Sequence, residues 1–343
     1  MTLRTYIATR IALTLPMLLF LLTLVFFVMR ILPGNPVLLR FEKNADPQLI
    51  AAYTHRLGLD IPLWQQYWNY LVGILHGDLG QSMVTFEPVS EQIFSRFPAT
   101  LELAFYSFIV AVVVGIILGS WAARRPYSKV DGGIKLYGIL VYAFPVFFLG
   151  MLFQLVFGIW LGLLPVGGRT DVGMVPQGLT LGAFHLQTGL YTLDALLGGN
   201  LTQFVVALKY LLLPSLTLGL VISGIFVRIT RSNMLETFKM EFVTAARARG
   251  LKESTVVYGY ALRNALLPVI TIMGLEFALL LSGAVLTETE FNILGLGTYL
   301  VDRITFRDYT AVQGTVVFLA VLISAISLIV DVLYAYLDPR IRL

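Results

Sequence analysis

A chain of 343 residues that is 57% hydrophobic, 13% charged and free of Cys, with a formal net charge of +4, excludes several classes of protein. Soluble domains carry about 25% charged residues, so water cannot solvate this surface and a bilayer must. Without Cys there is no disulfide, cysteine nucleophile or thiolate metal site, and no long basic tract interleaved with aromatics offers a surface for nucleic acid.

A membrane-spanning helix needs roughly 20 apolar residues. In chain order, Ile11–Met29 is uncharged and bracketed by Arg10 and Arg30. No small-residue cleavage site follows it, so it reads as a retained helix and not a removable signal. Leu103–Ala123 lies between Glu102 and Arg124. Leu136–Gly168 is uncharged and longer than one span, so its last part must be loop; Pro145 inside it predicts a kink. Val172–Leu193 is also uncharged, but its Pro, Gly, Gln and His would leave polar groups unsatisfied in lipid, which predicts an exposed loop. Tyr210–Val227, Asn264–Thr287 and Tyr309–Val330 complete six candidates. The expected fold is all-α, a polytopic membrane protein with six transmembrane helices.

Of the 24 Lys and Arg residues, 15 fall on one side of these spans, in shorter loops. Basic residues near spans favour the cytoplasm, so that side is expected to be cytoplasmic, with both termini there. The expected division is residues 1–30 for the N-terminus and first span, 31–99 for a long outer loop, 100–337 for a core of five spans, and 338–343 for a cytoplasmic tail. Trp64, Tyr67, Trp68 and Tyr70 in the outer loop point either to packing on the bundle or to an interfacial aromatic belt.

The cytoplasmic loop at 229–263 carries Met240 through Lys252. Small residues at Thr244, Ala245, Ala246 and Ala248 suit a short helix that another backbone can approach. Gly250 suits its stop, because Gly adopts positive φ without steric cost. Glu253-Ser254 begins a second helix running toward Pro268. A short helix held between two spans makes a docking plug; an ordinary positively charged inner loop fits the same residues. Glu276 is the one acid well inside a predicted span, where a charge is costly and a functional role is the default hypothesis. Contact with the translocation path, pairing with a partner helix and a protonated structural role all remain open for it. Asp331 is expected to bond an inner-loop basic residue or a helix terminus.

The loop also resembles the cytoplasmic Glu-Ala-Ala loop of ATP-binding-cassette (ABC) importer permeases. Thr244-Ala245-Ala246 followed by Gly250 fits the family spacing, with Thr in place of Glu, and Leu267-Pro268 comes later than the general pattern. Both departures resemble the dipeptide/oligopeptide/nickel branch. So do Arg30–Pro36, Leu57–Tyr67, Gly77–Ser82, Phe97–Leu103, Ser282–Glu288, Gly295–Gly297, Arg307–Tyr309 and Asp331–Arg342, in order along almost the whole chain. The resemblance implies a type I importer (MetI-like) permease fold and a coupling loop made of Glu241, Thr244, Ala245, Ala246, Arg247, Arg249, Gly250 and Leu251. It implies four kinds of partner: a second homologous permease, two ATPase subunits, an extracytoplasmic substrate-binding protein and membrane lipid. Di- and oligopeptides are the expected cargo, with oligosaccharide or nickel as alternatives.

The chain contains no G-x-x-x-x-G-K-[ST] loop, so it is expected to bind no cofactor itself, with ATP and Mg on partner subunits. It contains no H-E-x-x-H and no G-x-S-x-G, and is not read as an enzyme. His55, His76 and His185 lie in predicted outer loops and are not read as a metal site. Asp78, between glycines, reads as a turn residue. A self-contained secondary transporter, which would need a coupling-ion site among the spans, and a scaffold subunit are the competing classes.

Overall fold

The computed structural model describes residues 3–31, 46–181 and 184–337. Helix α1 (Leu3–Ile31) is followed by two short outer helices, α2 (Pro47–Arg56) and α3 (Leu63–Leu75). The long α4 (Val89–Arg124) leads to α5 (Lys129–Ala143) and α6 (Val146–Phe153), and α6 continues as a π-helical segment, Gln154–Trp160. Then come a hairpin of β1 (Leu179–Leu181) and β2 (Phe184–Leu186), the short α7 (Tyr191–Leu197) and the long α8 (Leu201–Thr237). Helix α9 (Glu241–Ala248), a π-helical segment Thr255–Ala261, α10 (Leu262–Gly283), α11 (Val285–Glu290), α12 (Leu296–Thr305) and α13 (Tyr309–Leu337) complete the chain.

Among the described residues five helices are long and apolar enough to cross a membrane, and α5 with α6 makes a sixth only as a broken span, bent by 101°. The bend exceeds the kink that Pro145 predicts. Proline disfavours the α conformation in the residue before it; Phe144 is extended at φ −75°, ψ 131°, and Pro145 starts α6 afresh. Elsewhere proline does not break the spans: α4, α8 and α10 run through Pro98, Pro214 and Pro268. The helix after Gly250 therefore does not stop at Pro268.

Helices α4 and α8 form the most extensive contact in the molecule. Gly115 and Gly119, four residues apart on α4, let α8 come in close: a Cβ on Gly115 would collide with Phe226, and one on Gly119 would lie 2.9 Å from the Val227 carbonyl oxygen. Small residues at this spacing are a common packing device where lipid gives no hydrophobic drive. Phe108, Phe226, Val269 and Met273 join α4, α8 and α10 in one apolar cluster. The exposed Leu13, Met17, Phe20 and Leu24 of α1 face outward instead.

The segment Val172–Leu193, expected as plain loop, contains the hairpin, in which Thr180 pairs with His185, and the start of α7. Amphipathic α3 divides its aromatics. Tyr67 and Tyr70 pack on Phe26 of α1, with ring centroids 5.1 and 5.5 Å away, while Trp64 and Trp68 stay exposed. The side chain of Asp331 and the tail at 338–343 lie outside the described residues.

Candidate functional site

The loop between α8 and α10 is a built element. Helix α9 begins after Met240, which is extended, and places Glu241 in its first turn, where a negative charge complements the helix dipole. It ends in a hydrogen-bonded stop: Gly250 N–H donates to the Arg247 carbonyl at 2.9 Å, and Leu251 N–H donates to that of Ala246 at 3.4 Å. Gly250 sits at φ +72°, as this stop requires. A Cβ there would meet nothing within 4 Å, so glycine is needed for its backbone freedom alone.

Val243 and Ala246, three apart and thus on one face, are buried against Val256 and Ala261 of the following segment. Arg247 bridges to Glu253 at 2.8 Å and lies over Phe238. Its hydrogen bond holds the Glu253 carboxyl below the usual range. The outward face shows Glu241, Thr244, Ala245, Arg247, Arg249, Gly250 and Leu251. Of the eight coupling-loop residues expected from the sequence, only Ala246 points inward.

Helix α5 is fastened to α8, the helix that leads into α9, by groups that the sequence did not single out. Asp131, at the start of α5, is fully buried and accepts two hydrogen bonds from Arg231 of α8 at 2.6 and 2.8 Å. Lys135 at 3.1 Å and the Tyr127 N–H at 2.9 Å complete its shell. The available signal was an acid among basic residues at the end of a span; nothing in the sequence named Arg231 as its partner. Between α5 and α8 lies a cleft of about 530 Å³ lined by Gly138, Tyr142 and Gly224, with Lys135, Arg228 and Arg231 also on its walls.

Glu276 is half-buried on α10, beside the exposed Leu275 and Leu279. It is not among the residues lining that cleft and has no hydrogen-bond or ion-pair partner among the described residues. His55 bonds Asp60 at 2.6 Å, His76 the Val72 carbonyl at 2.8 Å and His185 Thr180 at 3.1 Å, so the three histidines have separate surroundings. Asp78 accepts from Gly80 N–H at 2.8 Å, the geometry of a turn.

At the end of the bundle away from α9, four buried carboxylates fasten loops. Glu102 takes Arg169 at 2.7 Å and both the N–H and hydroxyl of Thr192. Asp194 accepts from Thr188 and Gly189. Glu288 accepts from Thr100 at 2.5 Å and from Thr298 N–H at 2.9 Å, and burial raises its carboxyl above the usual range. Asp308 accepts from Ser82 and from Met83 N–H. Three of these acids fall in stretches that carried the family resemblance. A fifth acid, Glu290, is enclosed beside Gly150 with both carboxylate oxygens unpartnered, and burial pushes it up to about 7.

The architecture of apolar spans, a short helix between α8 and α10 and tied-down loops agrees with comparison to known proteins. Residues 115–343 match the family described as binding-protein-dependent transport system inner membrane component, and residues 3–104 match its N-terminal counterpart. This chain belongs to that family. The chain is 39% identical to the di/tripeptide transport system permease protein DppB of Pseudomonas aeruginosa, with 98% of each chain covered. It is 38% identical, again with 98% of each covered, to the dipeptide permease DppB of Escherichia coli K12. The same figures hold for the glutathione transport system permease protein GsiC of Salmonella choleraesuis. As a member of this binding-protein-dependent family, the chain is a membrane component of an ABC transporter and not an enzyme.

Proposed function

We propose that this chain forms, with a second homologous permease, the translocation pathway of an importer for di- and oligopeptides. An extracytoplasmic binding protein delivers the peptide, and two ATPase subunits carrying ATP and Mg drive the cycle. The observation that carries this reading is α9, a short helix held rigidly between two spans with a small-residue face turned outward. Full-length similarity to permeases named for dipeptides, tripeptides and glutathione supports peptide over oligosaccharide or nickel as cargo. The basic loops support a cytoplasmic position for α9 and both termini. Residues 1–30, 31–99, 100–337 and 338–343 divide the chain into first span, outer loop, permease core and tail.

Motion of the ATPases reaches α9 through its outward face and passes toward α10 through the contact of Val243 and Ala246 with Val256 and Ala261, while the Asp131–Arg231 pair carries motion of α8 to α5. Because Ala246 is buried, a large side chain there would disturb packing as well as docking, so Ala245 and Thr244 are the cleaner probes. The test is a pull-down of the tagged chain from mild detergent together with ATP-driven uptake of a labelled dipeptide in vesicles. Wild type should recover a permease and an ATPase and import the dipeptide. Ala245→Glu should lose the ATPase and uptake while keeping the permease. ATP-independent uptake by the chain alone would overturn the proposal. For Glu276, a place on the pathway predicts that Glu276→Gln alters peptide uptake across pH; unchanged uptake would remove that role.

A further inference from the structure

Two stretches that carried the family resemblance have no part in this scheme: the exit of α1, with Arg30, and the Gly77–Ser82 turn, with Asp78. They meet at one cavity of about 170 Å³, between the outer end of α1, α3 and the first turn of α13. Arg30, Asn69, Tyr70, Asp78, Thr310 and Gln313 supply its polar lining. Two of these groups are orphaned. Tyr70 Oη and Gln313 Nε2 are buried without a hydrogen-bond partner, and Gln313 is only 4% exposed. Arg30 donates to Gln66 at 3.0 Å and lies 3.7 Å over the Phe26 ring, and no carboxylate pairs with it among the described residues. Asp78 spends one oxygen on Gly80 N–H and leaves the other without a partner among the described residues.

A half-buried cation with no carboxylate in ion-pair contact among the described residues and two buried polar groups without partners are each costly. The cavity carries polar groups on a partly apolar wall and is larger than a single water requires, so it has room for a ligand. Water would satisfy Tyr70 and Gln313 but bring the guanidinium no charge in contact, whereas an oxyanion meets all three donors. Asp78 on the same wall disfavours a bare anion and suits one that carries an ammonium group. Exposed Asn69 and Asp78 mark the mouth, and α1 below it presents exposed Leu19, Phe20 and Phe27. We propose that this cavity binds a phosphoethanolamine-type zwitterion, with phosphate toward Arg30, Tyr70 and Gln313 and ammonium toward Asp78. The apolar flank of α1 leads the acyl chains of a phospholipid to it, which makes the headgroup of phosphatidylethanolamine the source.

The test is native mass spectrometry of the delipidated full chain, titrated separately with phosphatidylethanolamine, phosphatidylcholine and soluble phosphoethanolamine. Phosphatidylcholine keeps the phosphate but has no ammonium N–H to donate to Asp78. One phosphatidylethanolamine per chain should be held about tenfold more tightly than phosphatidylcholine, the scale of one charged hydrogen bond. Asp78→Asn should erase that preference. Tyr70→Phe with Gln313→Met, which keeps side-chain volume, should weaken both lipids about tenfold while leaving the unfolding temperature in the absence of lipid unchanged. Saturation by soluble phosphoethanolamine without lipid retention would support the site and assign it a free ligand. Equal retention of both lipids by wild type and both variants, with no response to phosphoethanolamine, would leave only water in the cavity and overturn the proposal.

Discussion

Glu290 shows how one residue's surroundings reverse its ordinary chemistry. Its carboxyl lies against Gly150 with neither oxygen hydrogen-bonded, and burial pushes it up to about 7 from the ordinary 4.5. Between those values the folded chain holds a proton that the unfolded chain releases, so Glu290 lowers stability progressively as pH rises through that window. Glu290→Gln should therefore leave thermal stability in detergent nearly unchanged at pH 4.5 and raise it increasingly toward pH 8. An equal effect at both ends would mean that the carboxyl has a partner when charged. Asp131 is the opposite case, a buried carboxylate surrounded by donors. Removing one member of a buried pair costs about 3–5 kcal/mol. Asp131→Ala should cost a large part of that in an unfolding titration, because the mostly buried Arg231 loses its carboxylate partner.

Helix α9 and the α4–α8 pair each rest on one steric fact. Gly250 faces open space, so Gly250→Ala tests the backbone alone; the left-handed conformation costs an ordinary residue about 1–2 kcal/mol. That penalty should loosen α9, read as faster amide exchange at residues 241–251, with little change in the spans. Exchange as slow as in wild type would separate the stop from the glycine. Gly115 tests packing instead. Overpacking costs about 1–3 kcal/mol, so Gly115→Ala should lower the unfolding temperature, whereas an alanine at the exposed Gly132, where a Cβ meets nothing within 4 Å, should not lower it through a clash. The pair Gly115 and Gly119 was present in the sequence as small residues four apart. Nothing in the sequence named α8 as the helix that approaches there.

The whole molecule is a bundle whose loops are held by buried acids. Glu102, Asp194, Glu288 and Asp308 each accept from a loop backbone or hydroxyl, and Glu102 and Asp308 also meet an arginine. The loops on this face are therefore pre-organised. Glu102→Gln keeps the volume and removes the charge facing Arg169. Proteolysis or amide exchange should then quicken across residues 169–197, while the inner plug at 241–251 stays protected. Loosening at both ends together would show that the two faces form one cooperative unit.

The sequence by itself determined the membrane class, the approximate spans, the short helix ending at Gly250 and the family. Apolar run length and the φ preference of glycine are local properties, and ordered motifs along nearly the whole chain need no coordinates. Only the tertiary structure decided that Ala246 faces inward, that the chain breaks by 101° at Pro145, and that Asp131 binds Arg231 a hundred positions away. The meeting of Arg30, Asp78 and Gln313 at one cavity belongs to the same set. The physical reason is that hydrophobicity and backbone preference act over a few residues. A buried charge finds its partner wherever the packing of whole helices brings a donor, and no local pattern records that.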